Sequence, residues 1–136
     1  MKLSSPNVEK AHQERKERRR REHAAAQTVR SAYPQVAQVH IALEFEDGTS
    51  NAPASQSYVL HPPARAFFGF PCPYADCDGQ FDLHTAVTSV LGSASHHTQG
   101  QLQCQGTRAR DRATGRLCQL HLDYRIAAQY KRDDAA

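Results

Sequence analysis

The chain has 136 residues, a formal net charge of +3, 39% apolar residues and a mean hydropathy of −0.70. It has no run of 18 apolar residues, which excludes a membrane-spanning helix. The length suits one domain plus a tail, with a core modest enough for a metal staple to matter.

The charge is unevenly distributed. Glu9 to Glu22 holds seven cations against four glutamates, and Arg108 to Arg116 holds four arginines against Asp111 alone. Thirteen of the 17 cations are arginine, the side chain suited to two-pronged phosphate contacts. The first residues lack an apolar signal core, and Glu9, Glu14, Glu17 and Glu22 are foreign to an organellar transit peptide. A reducing cytoplasm is the expected compartment, where cysteines serve metals more often than disulfides.

In chain order, Val8 to Ala26 is rich in helix formers and has opposite charges three or four residues apart, which predicts an exposed helix. It has no apolar stripe with which to pack on a core. Residues 1–32 thus read as a charged helical or disordered arm, 33–130 as an α+β domain and 131–136 as a flexible tail. Ala37, Val39, Ile41, Leu43 and Phe45 alternate with Gln38, His40, Ala42, Glu44 and Glu46, a half-buried strand ended by Asp47-Gly48. Ser57 to His61 is a second short strand, and Ala66 to Phe70 a third apolar run leading into Cys72. Leu83, Ala86, Val87, Val90 and Leu91 share one helix face, with Asp82 as N-cap and Gly92 as C-terminal glycine. Ser93 to Gly100 reads as a loop, Gln101 to Gln105 as a strand and Cys118 to Ile126 as the clearest strand of all. The fold class is α+β: a small antiparallel sheet with one packed helix and a four-cysteine site.

The four cysteines form two pairs, Cys72 and Cys77 at C-x4-C, and Cys104 and Cys118 at C-x13-C. Four thiolates suit one tetrahedral zinc with Zn–S near about 2.3 Å. Thirteen residues are too many for a simple knuckle. With Cys104 ending one strand and Cys118 starting the next, however, the pair meets across a hairpin, where facing Cβ atoms lie about 4.5–5.5 Å apart. Cys77 and Cys104 are each followed by an x-Gly step, Asp78-Gly79 and Gln105-Gly106, where glycine permits a positive φ and turns backbone N–H groups toward sulfur. The metal is expected under the sheet and over the helix. Other readings stay open: a Cys72–Cys77 disulfide, free buried thiols, a histidine such as His96 or His97 as substitute ligand, or iron in place of zinc.

With these residues in view, Phe70 to Ile126 resembles the zinc ribbon class, in which paired cysteines from two turns clamp a β-hairpin. It departs from the usual C-x2-C pairs, and a helix is inserted between its two pairs. The resemblance implies one structural zinc and a presented hairpin tip, here Thr107 to Thr114.

Four thiolates leave no open position on the metal, and no H-E-x-x-H, P-loop, G-x-G-x-x-G, G-x-S-x-G or deaminase pattern occurs, so no enzyme is expected. Glu44, Glu46 and Asp47 read as solvated carboxylates, and Asp76 and Asp78 as caps of their own turn. The expected function is binding of nucleic acid or a ribonucleoprotein, RNA ahead of DNA, through Arg108, Arg110, Arg112 and Arg116 with Arg18, Arg19, Arg20 and Arg21. The alternative is a protein-interaction adaptor or assembly subunit docking through residues 8–26, a reading the glutamates of the arm favour. Neither a membrane nor a small-molecule substrate is expected.

Overall fold

Residues 6–49 and 51–131 are described by the computed structural model. The tail expected over 131–136 lies, except for Lys131, outside the described residues, as do residues 1–5 of the arm.

The alternation read in the first strand is the organising feature. Strand β1, Val36–Glu46, buries Val39, Ile41, Leu43 and Phe45 as read and exposes His40, Glu44 and Glu46, but it buries Val36 in place of Ala37 because the register shifts between Val36 and Gln38. It lies inside a four-stranded antiparallel sheet of order β2-β1-β6-β5, with β2 at Gln56–Leu60, β5 at His97–Gln103 and β6 at His121–Tyr130. Strand β6 adds Leu122, Ile126 and Ala128 to the face that β1 buries. Gly48 makes the turn after β1 at φ +84°, a conformation glycine adopts at no steric cost.

Two short strands, β3 (Gly69–Pro71) and β4 (Gln80–Asp82), pair as a separate hairpin. Helix α3, His84–Gly92, follows and sends Val87, Val90 and Leu91 into the core beside Leu83, Phe68 and Phe81. The helix starts one residue later than Asp82 as N-cap requires, with Leu83 at the cap position. Asp82 still accepts from the His84 backbone N–H at 2.9 Å and from the ring Nδ1 at 2.5 Å. Gly92 ends the helix within it. The left-handed residue is Ala94, at φ 54°, two positions beyond the expected glycine.

Two further boundaries differ from expectation. Strand β5 begins at His97, so half of the expected 93–100 loop is strand. No apolar alternation marks this segment because its inward positions are Thr98 and Gly100. Gly100 lies under the ring of Tyr124 so closely that an added Cβ would fall 2.5 Å from the Tyr124 hydroxyl. Strand β6 starts at His121 instead of Cys118, because the ladder between 104 and 120 thins to single backbone bonds.

Helices α1 (Pro6–Ala25) and α2 (Val29–Ala32) precede the sheet. Packing reaches back before Tyr33. Val29 is fully buried in the core, and the Val29 and Arg30 N–H groups donate to the carbonyls of Ala64 and Pro62 at 2.8 and 2.9 Å. α1 has no apolar face and is held by polar contacts. The Arg15 Nη2 reaches the Asp78 carboxylate at 2.6 Å, the Arg19 Nη1 reaches the Gly79 carbonyl at 3.3 Å, and His23 meets the Phe67 ring edge-on at 5.6 Å. Among the described residues no helix is long and apolar enough to cross a membrane.

Candidate metal centre

The four cysteines meet at the end of the two hairpins. Cys72 and Cys77 lie in the loop between β3 and β4, which continues the ladder by one bond from the Cys72 N–H to the Gly79 carbonyl at 3.0 Å. Cys104 and Cys118 lie just past the ends of β5 and β6. There the Cys104 N–H donates to the Leu120 carbonyl at 2.9 Å and the Cys118 N–H to the Gly106 carbonyl at 2.8 Å. The two cysteines are therefore diagonal neighbours and not directly opposed: Cys104 faces Leu120 and Cys118 faces Gly106, each two residues from the other cysteine. Diagonal positions remain within reach of a shared ligand.

All four Sγ atoms lie within 4.8 Å of one another, and Cys77 Sγ and Cys104 Sγ are 3.6 Å apart. Tetrahedral bonds of about 2.3 Å place sulfurs about 3.8 Å apart, so the cluster has the dimensions of a four-thiolate metal site. The residues are buried, and none forms a disulfide. The His96 and His97 side chains are exposed and outside the cluster, as is His121.

The glycines after Cys77 and Cys104 have the expected role toward sulfur: Gly79 N–H donates to Cys77 Sγ and Gly106 N–H to Cys104 Sγ, each at 3.4 Å. Their φ angles, however, are not positive. What demands glycine is proximity, because the two turns pack back to back. A Cβ on Gly79 would sit 2.4 Å from Cys104 Sγ, and one on Gly106 would sit 2.3 Å from Gly79 N.

The four thiols also perturb one another's protonation. The neighbouring Cys72 and Cys77 sulfurs, with the Gly106 N–H, pull Cys104 down to about 4. Those same contacts with its neighbours, and then burial, push Cys72 up. The contact with Cys104 pushes Cys77 up, and burial does so for Cys118.

Four arginines surround the centre, and two of them belong to the expected nucleic-acid loop. Arg108 pairs with Asp76 (Nη2–Oδ1 2.9 Å) and lies over the Tyr74 ring at 3.8 Å. Arg112 Nη2 donates to the Asp76 carbonyl at 2.9 Å. From α1 come Arg15 and Arg19, one turn apart. Burial and the neighbouring Arg15 lower Arg19 from the ordinary arginine value. Asp76 and Asp78 brace the opposite loop instead of capping only their own turn, since Asp76 accepts from Ala109 N–H at 3.3 Å and Asp78 from Thr107 N–H at 2.9 Å. Tyr74 donates its hydroxyl to Asp47 at 2.5 Å, latching the end of β1 onto the first knuckle. No sequence signal separates these bracing arginines from their neighbours.

The remaining arginines of the two clusters face solvent. Arg18, Arg21 and Arg116 are exposed, as is Arg110, which lies 3.5 Å from Asp111. Arg20 is exposed and paired with Glu17. The hairpin tip is no extended alternation, because Ala109–Asp111 forms a 3₁₀ turn that directs Arg108 and Arg112 inward while Arg110 stays outside. The centre was also expected to lie over the packed helix. Helix α1 also reaches it, through the bonds of Arg15 to Asp78 and of Arg19 to the Gly79 carbonyl. No protein-family model matches the chain, and comparison with curated proteins and with solved structures returns no match.

Proposed function

We propose that the chain is a non-enzymatic zinc module that binds nucleic acid or a ribonucleoprotein, single-stranded RNA ahead of DNA. The observation carrying this reading is the position of Asp78, whose carboxylate accepts from Arg15 of α1 and from Thr107 N–H of the second loop, at 2.6 and 2.9 Å. Two arginine-rich segments far apart in sequence are thereby tied to one knuckle. Arg18 and Arg21 on α1 and Arg110 and Arg116 on the loop are exposed. Zinc is favoured because four thiolates close its tetrahedral shell, and the same closure leaves no position for a substrate. A zinc with four thiolates carries two net negative charges, which Arg15, Arg19, Arg108 and Arg112 offset from around the knuckle.

The test is retention of single-stranded RNA at rising salt. Four phosphate contacts give a slope of log affinity against log salt near about −3. Replacing Arg110 and Arg116, or Arg18 and Arg21, by alanine should flatten that slope by about 1.4 in each case. An unchanged slope in both double variants would defeat the reading. The second reading, a protein adaptor docking through residues 8–26, is favoured by exposed Glu14, Glu17 and Glu22 among the arginines of α1. It predicts recovery of one defined protein partner by the full chain, lost when Glu14 and Glu22 are reversed to lysine.

A further inference from the structure

α1 bridges the body of the protein without filling the space beneath it. Its face toward β2 and β3 carries Lys16, Arg19, Arg20 and His23, of which His23 meets the Phe67 ring. Below them a cleft of about 830 Å³ remains open, walled on the other side by Tyr58, Leu60, Phe67 and Phe70. That volume falls within the range of small-molecule sites, about 300–1,000 Å³.

The lining is sharply divided by chemistry. Of the 16 residues around the cleft, four are Lys or Arg and none is Asp or Glu, and two, Cys72 and Cys77, belong to the metal centre at its end. The guanidiniums are only partly committed: Arg19 gives one bond to the Gly79 carbonyl and Arg65 one to the Ala26 carbonyl, leaving other N–H donors of each five-donor fork. The opposite wall is aromatic. Tyr58 and Phe70 form a tilted pair with centroids 4.9 Å apart, and Phe67 stands at one end between His23 and His84. An occupant that matches both walls has a flat, π-rich body and a compact anion. A fatty chain would leave the aromatic faces unmatched, and inorganic phosphate alone would leave them bare.

We propose that this cleft is the subsite for one nucleoside phosphate unit, its base against Tyr58, Phe67 and Phe70 and its phosphate against Lys16, Arg19 and Arg65. The proposal relies on the nucleic-acid reading for the source of the nucleotide, an unstacked residue of an RNA strand. Single-strand binders commonly combine a cationic track with aromatic side chains on which bases stack. Here Lys16 and Arg19 come from α1, and Arg65 and the aromatics from the β2 and β3 region, so the site is complete only while Arg15 and Arg19 hold the helix on the knuckle.

The test uses the full zinc-loaded chain and three probes: uridine or adenosine monophosphate, a short single-stranded oligouridylate, and dodecanoate as an anion without a base. Calorimetry should show saturable mononucleotide binding, competition of the mononucleotide with the oligonucleotide, and no heat from dodecanoate. Phe70→Leu, which keeps apolar bulk, should weaken mononucleotide binding about tenfold. Lys16→Glu should weaken it similarly, whereas Arg125→Glu, the same charge reversal on the exposed sheet face, should leave it unchanged. Zinc content and far-ultraviolet circular dichroism verify that each variant is folded.

Oligonucleotide binding with no mononucleotide binding, and with no effect of Phe70→Leu, would overturn the subsite while the broader reading stands. Mononucleotide binding without oligonucleotide binding would retain the cleft as a site for free nucleotide and overturn the RNA source. Dodecanoate binding as tight as the mononucleotide would overturn the proposal.

Discussion

Alanine at Gly79 is the sharpest perturbation of the metal centre. The added Cβ would lie 2.4 Å from Cys104 Sγ, 3.0 Å from Gly106 N and 3.1 Å from Gly106 Cα. Ordinary contact begins near 3.4 Å, so the sulfur must retreat by about 1 Å, whereas metal–ligand distances tolerate only about ±0.2 Å. The neighbour that must yield is a ligand atom backed by main chain, with no flexible side-chain tip to swing aside. Overpacking of this kind costs about 1–3 kcal/mol in the protein itself. Displacing a ligand or its supporting N–H bond lowers metal affinity about 10–100-fold.

The assay is zinc titration against a chromophoric chelator, with thermal unfolding in parallel. Gly92→Ala is the matched control, since nothing lies within 4 Å of its Cβ position and its φ is negative. That variant should be neutral or more stable by up to about 1 kcal/mol, because it restricts only the unfolded chain and improves helix propensity. If Gly79→Ala bound zinc and melted as the unaltered chain does, the back-to-back packing of the knuckles would be wrong.

Four further outcomes are expected. Elemental analysis should return one zinc per chain, and chelation should loosen the domain, seen as lost amide dispersion in NMR, because binding at a structural site is coupled to folding. Arg108→Ala should destabilise the protein by about 1 kcal/mol in denaturant unfolding through loss of its Tyr74 and Asp76 contacts, whereas Arg110→Ala should be neutral to stability. Val29→Ala should cost about 2 kcal/mol in the same assay, and a chain starting at Tyr33 should lose at least that much, because Val29 is fully buried. Hydrogen bonds from Thr49 and then Tyr74 hold Asp47 down at about 2, against an ordinary 3.8. A depressed carboxylate value contributes stability above pH of about 4 that disappears as pH falls toward 2. Tyr74→Phe should therefore move the carboxyl resonance titration of Asp47 upward, and an unmoved titration would refute the latch.

The sequence by itself determined the strand face of β1, the helix at Leu83–Leu91 and the pairing of four cysteines into one centre. Each is a local periodicity or a chemical type that stays legible without neighbours. It also marked both x-Gly steps, although by the wrong physical route. A positive φ is a property of one residue, whereas the actual constraint is the approach of Gly79 to Gly106, 27 residues away, visible only when both turns are placed. The start of β5 was hidden because Thr98 and Gly100 carry no apolar signal, and burial there is supplied by Tyr124 from the neighbouring strand.

The arginines show the same division. Composition located two basic clusters but could not rank their members, since every guanidinium reads alike in a string of letters. Tertiary structure separated them by the partners that surround each one. Arg15, Arg19, Arg108 and Arg112 brace the knuckle against Asp76, Asp78 and backbone carbonyls, while Arg18, Arg21, Arg110 and Arg116 face water. A charge finds its counter-charge across space and not along the chain, so only the fold decided which cations hold the protein together and which remain exposed for a partner.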